Sequence, residues 1–222
     1  MSTKPRWDYP SRLISLDDDP SSGPSGRILN FVEYLGEHIS TVEHPLLANR
    51  NRDGLYPWFK HWPGEHYNLL TCAAKLFQPK IIWEFCTYTG MGTIALAEGA
   101  PANCNIITVD NTKYKENWFE DSDFANGRIL QLTGDMIDPT LFKLPVFKAA
   151  NLIFVDGPKD GKTEHKFIRL LDNAEFDNNP IVIFDDIREP NMIYLWRDIA
   201  HPKMDLTSLG HFTGTGIVDW NG

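Results

Sequence analysis

Residues 80–93 read Lys80-Ile81-Ile82-Trp83-Glu84-Phe85-Cys86-Thr87-Tyr88-Thr89-Gly90-Met91-Gly92-Thr93, and their order decides the fold class. The first six form a short apolar run, a glycine-punctuated loop breaks it, and a helix resumes over Gly92 to Glu98. The same alternation repeats outward. Upstream, Glu65 to Phe77 carries helical spacing and stops before Pro79. Downstream, Asn105 to Val109, Arg128 to Leu132, Asn151 to Val155 and Ile181 to Phe184 read as further strands. Helices are expected over Lys162 to Asn173 and near Met192 to Ile199. Apolar strands alternating with helices predict a mostly parallel sheet covered on both faces. Met204 to Leu209 and Gly216 to Trp220 read as two more strands joined by a Gly/Thr-rich turn. The expected architecture is therefore α/β and Rossmann-like: a seven-stranded sheet closed by an antiparallel C-terminal hairpin.

Before Glu65 the chain is less regular. Met1 to Gly26 is rich in Pro, Ser and Asp and reads as an arm. Its Trp7, Tyr9, Leu13 and Ile14 would dock on the body or on a second subunit, which points to a homodimer. Ile28 to Ile39 has helical spacing. Glu43 to Pro63 carries Tyr56, Pro57, Trp58, Phe59 and Trp62, and reads either as a lid over a pocket or as an aromatic loop packed on the core. The chain thus divides into residues 1–63, holding arm, helix and lid-like segment, and an α/β domain over residues 64–222.

A length of 222 residues suits one domain of this kind with a substantial core. A formal charge of −9, without a Lys/Arg cluster, tells against nucleic acid as a partner. Cys72, Cys86 and Cys104 are odd in number, lack close pairing and show no zinc spacing, which suits a reducing compartment. The N-terminus is too polar for a signal peptide, and no apolar run reaches the roughly 18 residues that span a membrane. The chain reads as cytoplasmic, with no membrane partner.

In an open α/β sheet, ligands bind beyond the carboxyl ends of the strands. There Gly90 and Gly92 admit a sharp turn and the following helix offers amide donors. The third glycine of a dinucleotide fingerprint is missing. Asp110 ends the second strand, where a carboxylate accepts from the two ribose hydroxyls of a nucleoside. An acid at that place is common to NAD and adenosylmethionine enzymes. Gly134-Asp135-Met136 follows the third strand and would meet an adenine, with Asp135 accepting from its amino group. The plainer alternative is a glycine turn that only packs strand on helix.

The ordered set Glu84-Phe85-Cys86-Thr87-Tyr88-Thr89-Gly90-Met91-Gly92 resembles the first motif of the small class I O-methyltransferases related to catechol and caffeoyl-CoA O-methyltransferases. The resemblance covers roughly Gly64 to Trp220. It implies S-adenosyl-L-methionine as cofactor, with the backbone around Cys86 and Tyr88 on the methionine part and Asp110 on the ribose. Glu84 would support the loop or the cofactor's amino group. The implied cofactor set is Glu84, Cys86, Thr87, Tyr88, Gly90, Gly92, Thr93, Asp110, Asn111, Asp135, Met136 and Asp156. Cys86 departs from the family, which usually has glycine there.

The fourth strand runs into Asp156-Gly157-Pro158-Lys159 and the fifth into Asp185-Asp186. Three carboxylates at one end of a sheet repel each other unless a cation, protons or a basic side chain offset them. Hard oxygen ligands suit Mg²⁺, or Ca²⁺ and Mn²⁺. In the metal-dependent members of the same family a D-x-x-K sequence and an acidic pair stand at these places. The resemblance thus implies Asp156, Asp185 and Asp186 as metal ligands and Lys159 as general base. The acceptor would be a hydroxyl of a small molecule: a phenolic, a sugar or a secondary metabolite. Asp186, where asparagine is common, and Pro158 depart from the pattern. His211 in the last turn reads as structural or as reaching the substrate, while His61 and His66 carry no assignment. Two rival readings remain, a Rossmann-type NAD oxidoreductase and a non-catalytic S-adenosylmethionine-binding module.

Overall fold

The computed structural model describes residue 21, residues 23–46, residue 50 and residues 65–222. The aromatic segment Tyr56 to Trp62 and the arm's Trp7, Tyr9, Leu13 and Ile14 lie outside these residues. The chain runs α1 (Gly26–His38), α2 (His66–Phe77), β1 (Ile81–Phe85), α3 (Met91–Gly99), β2 (Asn105–Asp110), α4 (Asp121–Ala125) and β3 (Ile129–Thr133). It continues through α5 (Pro145–Lys148), β4 (Leu152–Val155), α6 (Lys162–Asp172), β5 (Ile181–Asp185), α7 (Ile193–Asp198), β6 (Lys203–Asp205) and β7 (Thr215–Asp219).

The seven strands form one sheet in the order β3-β2-β1-β4-β5-β7-β6. β1 to β5 are parallel, β7 is antiparallel to β5, and β6 is antiparallel to β7. This is the expected seven-stranded α/β sheet with its closing hairpin. An all-parallel nucleotide fold of strand order 3-2-1-4-5-6 has no strand inserted in this way.

Alternate residues of each strand face opposite layers, so one five-residue run feeds two cores. Ile82, Ile106, Phe154, Ile183 and Ile217 pack with Ile28, Phe31, Leu69, Leu70 and Leu96 of α1, α2 and α3. Trp83, Phe85, Val109, Val155, Phe184 and Val218 face Phe147, Phe167, Leu195 and Trp196 on the other side. Trp83 and Trp220 are fully buried, and truncating such a side chain to alanine typically costs about 3–5 kcal/mol.

Two expectations need correction. The strand read over Met204 to Leu209 covers only Lys203–Asp205. Asp205 accepts the Thr207 amide at 2.9 Å, and this local turn takes the chain off the sheet. Two short helices also went unread. α4 is held by a reciprocal capping box between Glu120 and Asp123, and α5 starts on Pro145. Neither is long enough to show a helical period. Among the described residues no helix is long and apolar enough to cross a membrane.

Candidate active site

Strand order reverses between β1 and β4, so the loops that follow them diverge and open a crevice at their carboxyl ends. A cavity of about 560 Å³ occupies it, lined by Cys86, Tyr88, Asp110, Asn111, Tyr114, Asp135, Met136 and Asp156, with Gly157 to Lys159 at its edge. Small-molecule sites commonly span about 300–1,000 Å³. Asp110 is largely buried. Its Oδ2 accepts the Tyr88 amide at 2.8 Å and its Oδ1 the Thr112 amide at 3.0 Å, which ties the loops after β1 and β2 together. A carboxylate has about four acceptor sites, so capacity remains on the cavity side. Tyr88 and Tyr114 meet edge to face at 5.0 Å across the rim.

Five residues expected to touch a cofactor stand behind this wall. Glu84 is buried and accepts the hydroxyl proton of Thr93 from the first turn of α3. Burial first, with nearby Asp156 and Asp110, pushes Glu84 up to about 8, against the hydroxyls of Thr108 and Thr93. Thr87 and Thr108 share a 2.6 Å hydrogen bond. Gly92 is needed because a Cβ there would lie 2.5 Å from Glu84 Oε1. Gly90, at φ 84°, would put a Cβ 2.5 Å from the Phe119 ring. The glycines let α3 seat closely, and Glu84 ties the first turn of α3 to β1.

Six non-glycine residues among those described have positive φ, and four belong to this end of the sheet: Cys86 at 73°, Tyr88 at 45°, Lys159 at 60° and Asp186 at 56°. Sparsely populated backbone conformations of this kind cluster at ligand sites and active sites in proteins generally. Cys86 therefore occupies a glycine-like conformation, and burial followed by Asp156 pushes its thiol up to about 12. The loop carrying Lys159 is held from below by buried Glu164, which accepts the amides of Lys159 at 2.6 Å and Gly161 at 2.9 Å. Sequence reading missed Glu164, although its place three residues after Gly161 is a helix-start signal.

A second cavity of about 400 Å³ shares Tyr88, Asp156 and Lys159 with the first and extends to His66, Asp185, Asp186 and His211. The structure brings Asp156, Asp185 and Asp186 together, one oxygen of each lying within 4.8 Å of the others. Lys159 sits on this cluster, its Nζ in contact with Asp156 and 2.9 Å from Asp186 Oδ2. Burial opposes its charge, but Asp156, Asp186 and Asp185 outweigh burial and hold the ammonium well above its ordinary range. In the free protein Lys159 is thus a counter-charge. Asp156 is pushed upward, first by burial and then by Asp185.

His66 and His211 also belong to this site. β7 pairs with β5, with Thr215 opposite Asp185, and so carries the preceding turn to the acids. His211 Nε2 comes within 2.7 Å of Asp185 Oδ1, and His66 Nδ1, at the start of α2, within 3.7 Å. The two rings lie 4.6 Å apart. Burial lowers His66 to about 4, despite Asp185. Burial also opposes the charge on His211, but the adjacent Asp185 carboxylate outweighs it and raises that ring. No spacing in the sequence joins these residues: the antiparallel strand brings His211 and the start of α2 brings His66.

No family model matches the chain, and no curated protein matches it. Solved structures do. A methyltransferase from Geobacter sulfurreducens aligns with a TM-score of 0.59 at 13% identity, over 89% of this chain and 98% of that one. The S-adenosylhomocysteine-bound methyltransferase of Podospora anserina aligns at 0.54 and 18%, over 90% of each chain. An O-methyltransferase of tomaymycin synthesis from Streptomyces achromogenes, in complex with S-adenosylmethionine, aligns at 0.53 and 15%, over 87% and 96%. The chain has the Rossmann-like methyltransferase fold.

Proposed function

We propose that the protein transfers a methyl group from S-adenosyl-L-methionine to a hydroxyl oxygen of a small molecule. The observation that carries this reading is the meeting of two cavities at Tyr88, Asp156 and Lys159. One is lined for a nucleoside, with Asp110 for the ribose and Asp135 and Met136 for the base. The other is lined with acids and bases and is large enough for an acceptor. Methyl transfer from a sulfonium depends mainly on lining up the nucleophile behind the methyl carbon, so two pockets sharing a wall suit it. The likeness to structures that hold S-adenosylmethionine or S-adenosylhomocysteine supports the cofactor.

The donors at the junction fit a divalent cation. Asp156, Asp185 and Asp186 offer hard oxygens, one from each within 4.8 Å of the others. A divalent ion bound there would lower the pKa of the acceptor hydroxyl and orient it. Lys159, which lines both cavities, is the group we assign to take that proton. The positive sulfonium in the adjoining cavity disfavours its charge and so counters part of the hold of Asp156 and Asp186. The described cysteines are free thiols, which supports a reducing compartment.

Calorimetric titration with S-adenosylmethionine and with NAD, followed by a screen of hydroxyl compounds for formation of S-adenosylhomocysteine, tests the reading. Binding of S-adenosylmethionine and turnover with a phenolic, sugar or other hydroxyl acceptor are expected. Binding of NAD in its place would sink the proposal.

A further inference from the structure

Asp185 belongs to two donor clusters at once, Asp156 and Asp186 on one side, His66 and His211 on the other. In each, one donor atom per residue lies within 4.8 Å of the others. The acidic side is partly offset by Lys159, which contacts Asp156 and Asp186. The histidine side is different. Asp185 Oδ1 lies 2.7 Å from His211 Nε2, an ion-pair contact, and 3.7 Å from His66 Nδ1, beyond hydrogen-bond reach. Among the described residues this oxygen accepts no hydrogen bond, although Asp185 is only 7% exposed. A buried carboxylate oxygen left without a directed partner is costly, and it is aimed at two imidazoles.

We propose that His66, His211 and Asp185 form a binding site for a divalent transition-metal ion of the Zn²⁺, Co²⁺ or Fe²⁺ class, with a coordination position facing the 400 Å³ cavity. Two imidazoles and one carboxylate favour such ions, whereas Mg²⁺ prefers oxygen and water throughout. Ligands about 2.0–2.2 Å from a tetrahedral ion sit roughly 3.3–3.6 Å apart, and the two separations of 2.7 and 3.7 Å fall on either side of that range. Three protein ligands and one free position make a reactive site rather than a structural one. Side chains of His66 and Asp185 are 7% and 8% exposed and that of His211 16%, so the ion would be reached only from the cavity. The site deepens the methyl-transfer reading and depends on it for its use. An ion here takes Asp185 from the Asp156 and Asp186 side and so stands in place of the all-oxygen site. Its free position would take the acceptor's hydroxyl while Lys159 stays with Asp156 and Asp186.

The full-length protein is stripped with chelator and titrated with Co²⁺ alone, reading the visible absorption of a four- or five-coordinate ion. Zn²⁺ is then used to displace it, and excess Mg²⁺ to attempt the same. We expect saturable Co²⁺ absorption that Zn²⁺ removes and Mg²⁺ does not. His211→Ala should weaken Co²⁺ by more than about a hundredfold, beyond the roughly 10–100-fold of a supporting residue. His66→Gln should do the same, with circular dichroism as a check on folding, and His211→Ala decides alone if His66→Gln unfolds. Asp156→Asn and Asp186→Asn should keep the absorption. Absence of Co²⁺ and Zn²⁺ binding overturns the site, as does binding that falls in Asp156→Asn and Asp186→Asn but not in the histidine variants. S-adenosylmethionine titration of the same samples separates the two readings: failure there removes methyl transfer and leaves the metal result standing.

Discussion

Asp110 Oδ2 accepts the backbone N–H of Tyr88 at 2.8 Å, so the acid that ends β2 also fixes the loop that follows β1. One carboxylate thereby shapes the cavity and faces into it. Asp110→Ala should weaken S-adenosylmethionine by roughly ten- to a hundredfold, or about 1.5–3 kcal/mol, the scale of hydrogen bonds to a charged group. The freed amides of Tyr88 and Thr112 should also lower the thermal midpoint. Calorimetry on the folded variant decides, and unchanged affinity would take Asp110 out of the site.

Cys86 stands at φ 73°, a conformation that favours glycine. Glycine is normally less favourable than alanine in a folded chain, because it loses more backbone freedom. Here the order should invert. Cys86→Gly should be more stable than Cys86→Ala by about 1 kcal/mol, because both lose the thiol and only alanine keeps the strain. Urea melts of the two variants give this difference directly. Alanine equal to or better than glycine would mean that the backbone is unstrained.

The elements that repeat were legible in the sequence, because each buried strand or amphipathic helix declares its own period. β1 to β5, α2, α3 and α6 lie within a residue or two of where apolar spacing put them. The acids Asp110 and Asp185, which end β2 and β5, and Asp156 and Asp186, which follow β4 and β5 directly, could be placed once those strands were. Contacts made by topology stayed hidden. His211 reaches Asp185 only because β7 enters the sheet antiparallel to β5, and His66 only because α2 begins over the same strand end. The packing role of the glycines stayed hidden for a related reason. Gly90 and Gly92 read as openings for a ligand, and the structure adds a packing reason, since a Cβ there would meet Phe119 and Glu84.

Glu84 carries a pH signature. Burial raises it to about 8 from an ordinary value of 4.5, so the fold keeps a proton that the unfolded chain releases. Its contribution is fully present below the unfolded value and is lost as pH rises through the folded value. Wild-type stability should therefore fall across roughly pH 4.5 to 8 from this group. Glu84→Gln keeps the shape without titrating. The stability difference between variant and wild type should move in the variant's favour between about pH 5 and pH 8.5 in urea melts. Parallel pH curves would show that Glu84 ionises as an ordinary carboxyl.

Lys159 unites two roles that substitution can separate. In the free protein its ammonium neutralises Asp156 and Asp186, and those carboxylates hold it charged. A group so held keeps its stabilising effect throughout the neutral range and loses it only at strongly alkaline pH. Lys159→Met removes charge and proton acceptor together. It should leave Asp156 and Asp186 in mutual repulsion, lowering the thermal midpoint, and should cost about 10²–10⁴-fold in methyl transfer if the lysine is the base. Lys159→Arg keeps the charge but gives up no proton in the accessible pH range. The arginine variant should recover the thermal midpoint and not the rate. Measured with a confirmed acceptor, full turnover in Lys159→Arg would reduce the lysine to a counter-charge. Loss of rate in both variants, with stability lost in only one, leaves Lys159 as the residue that takes the proton.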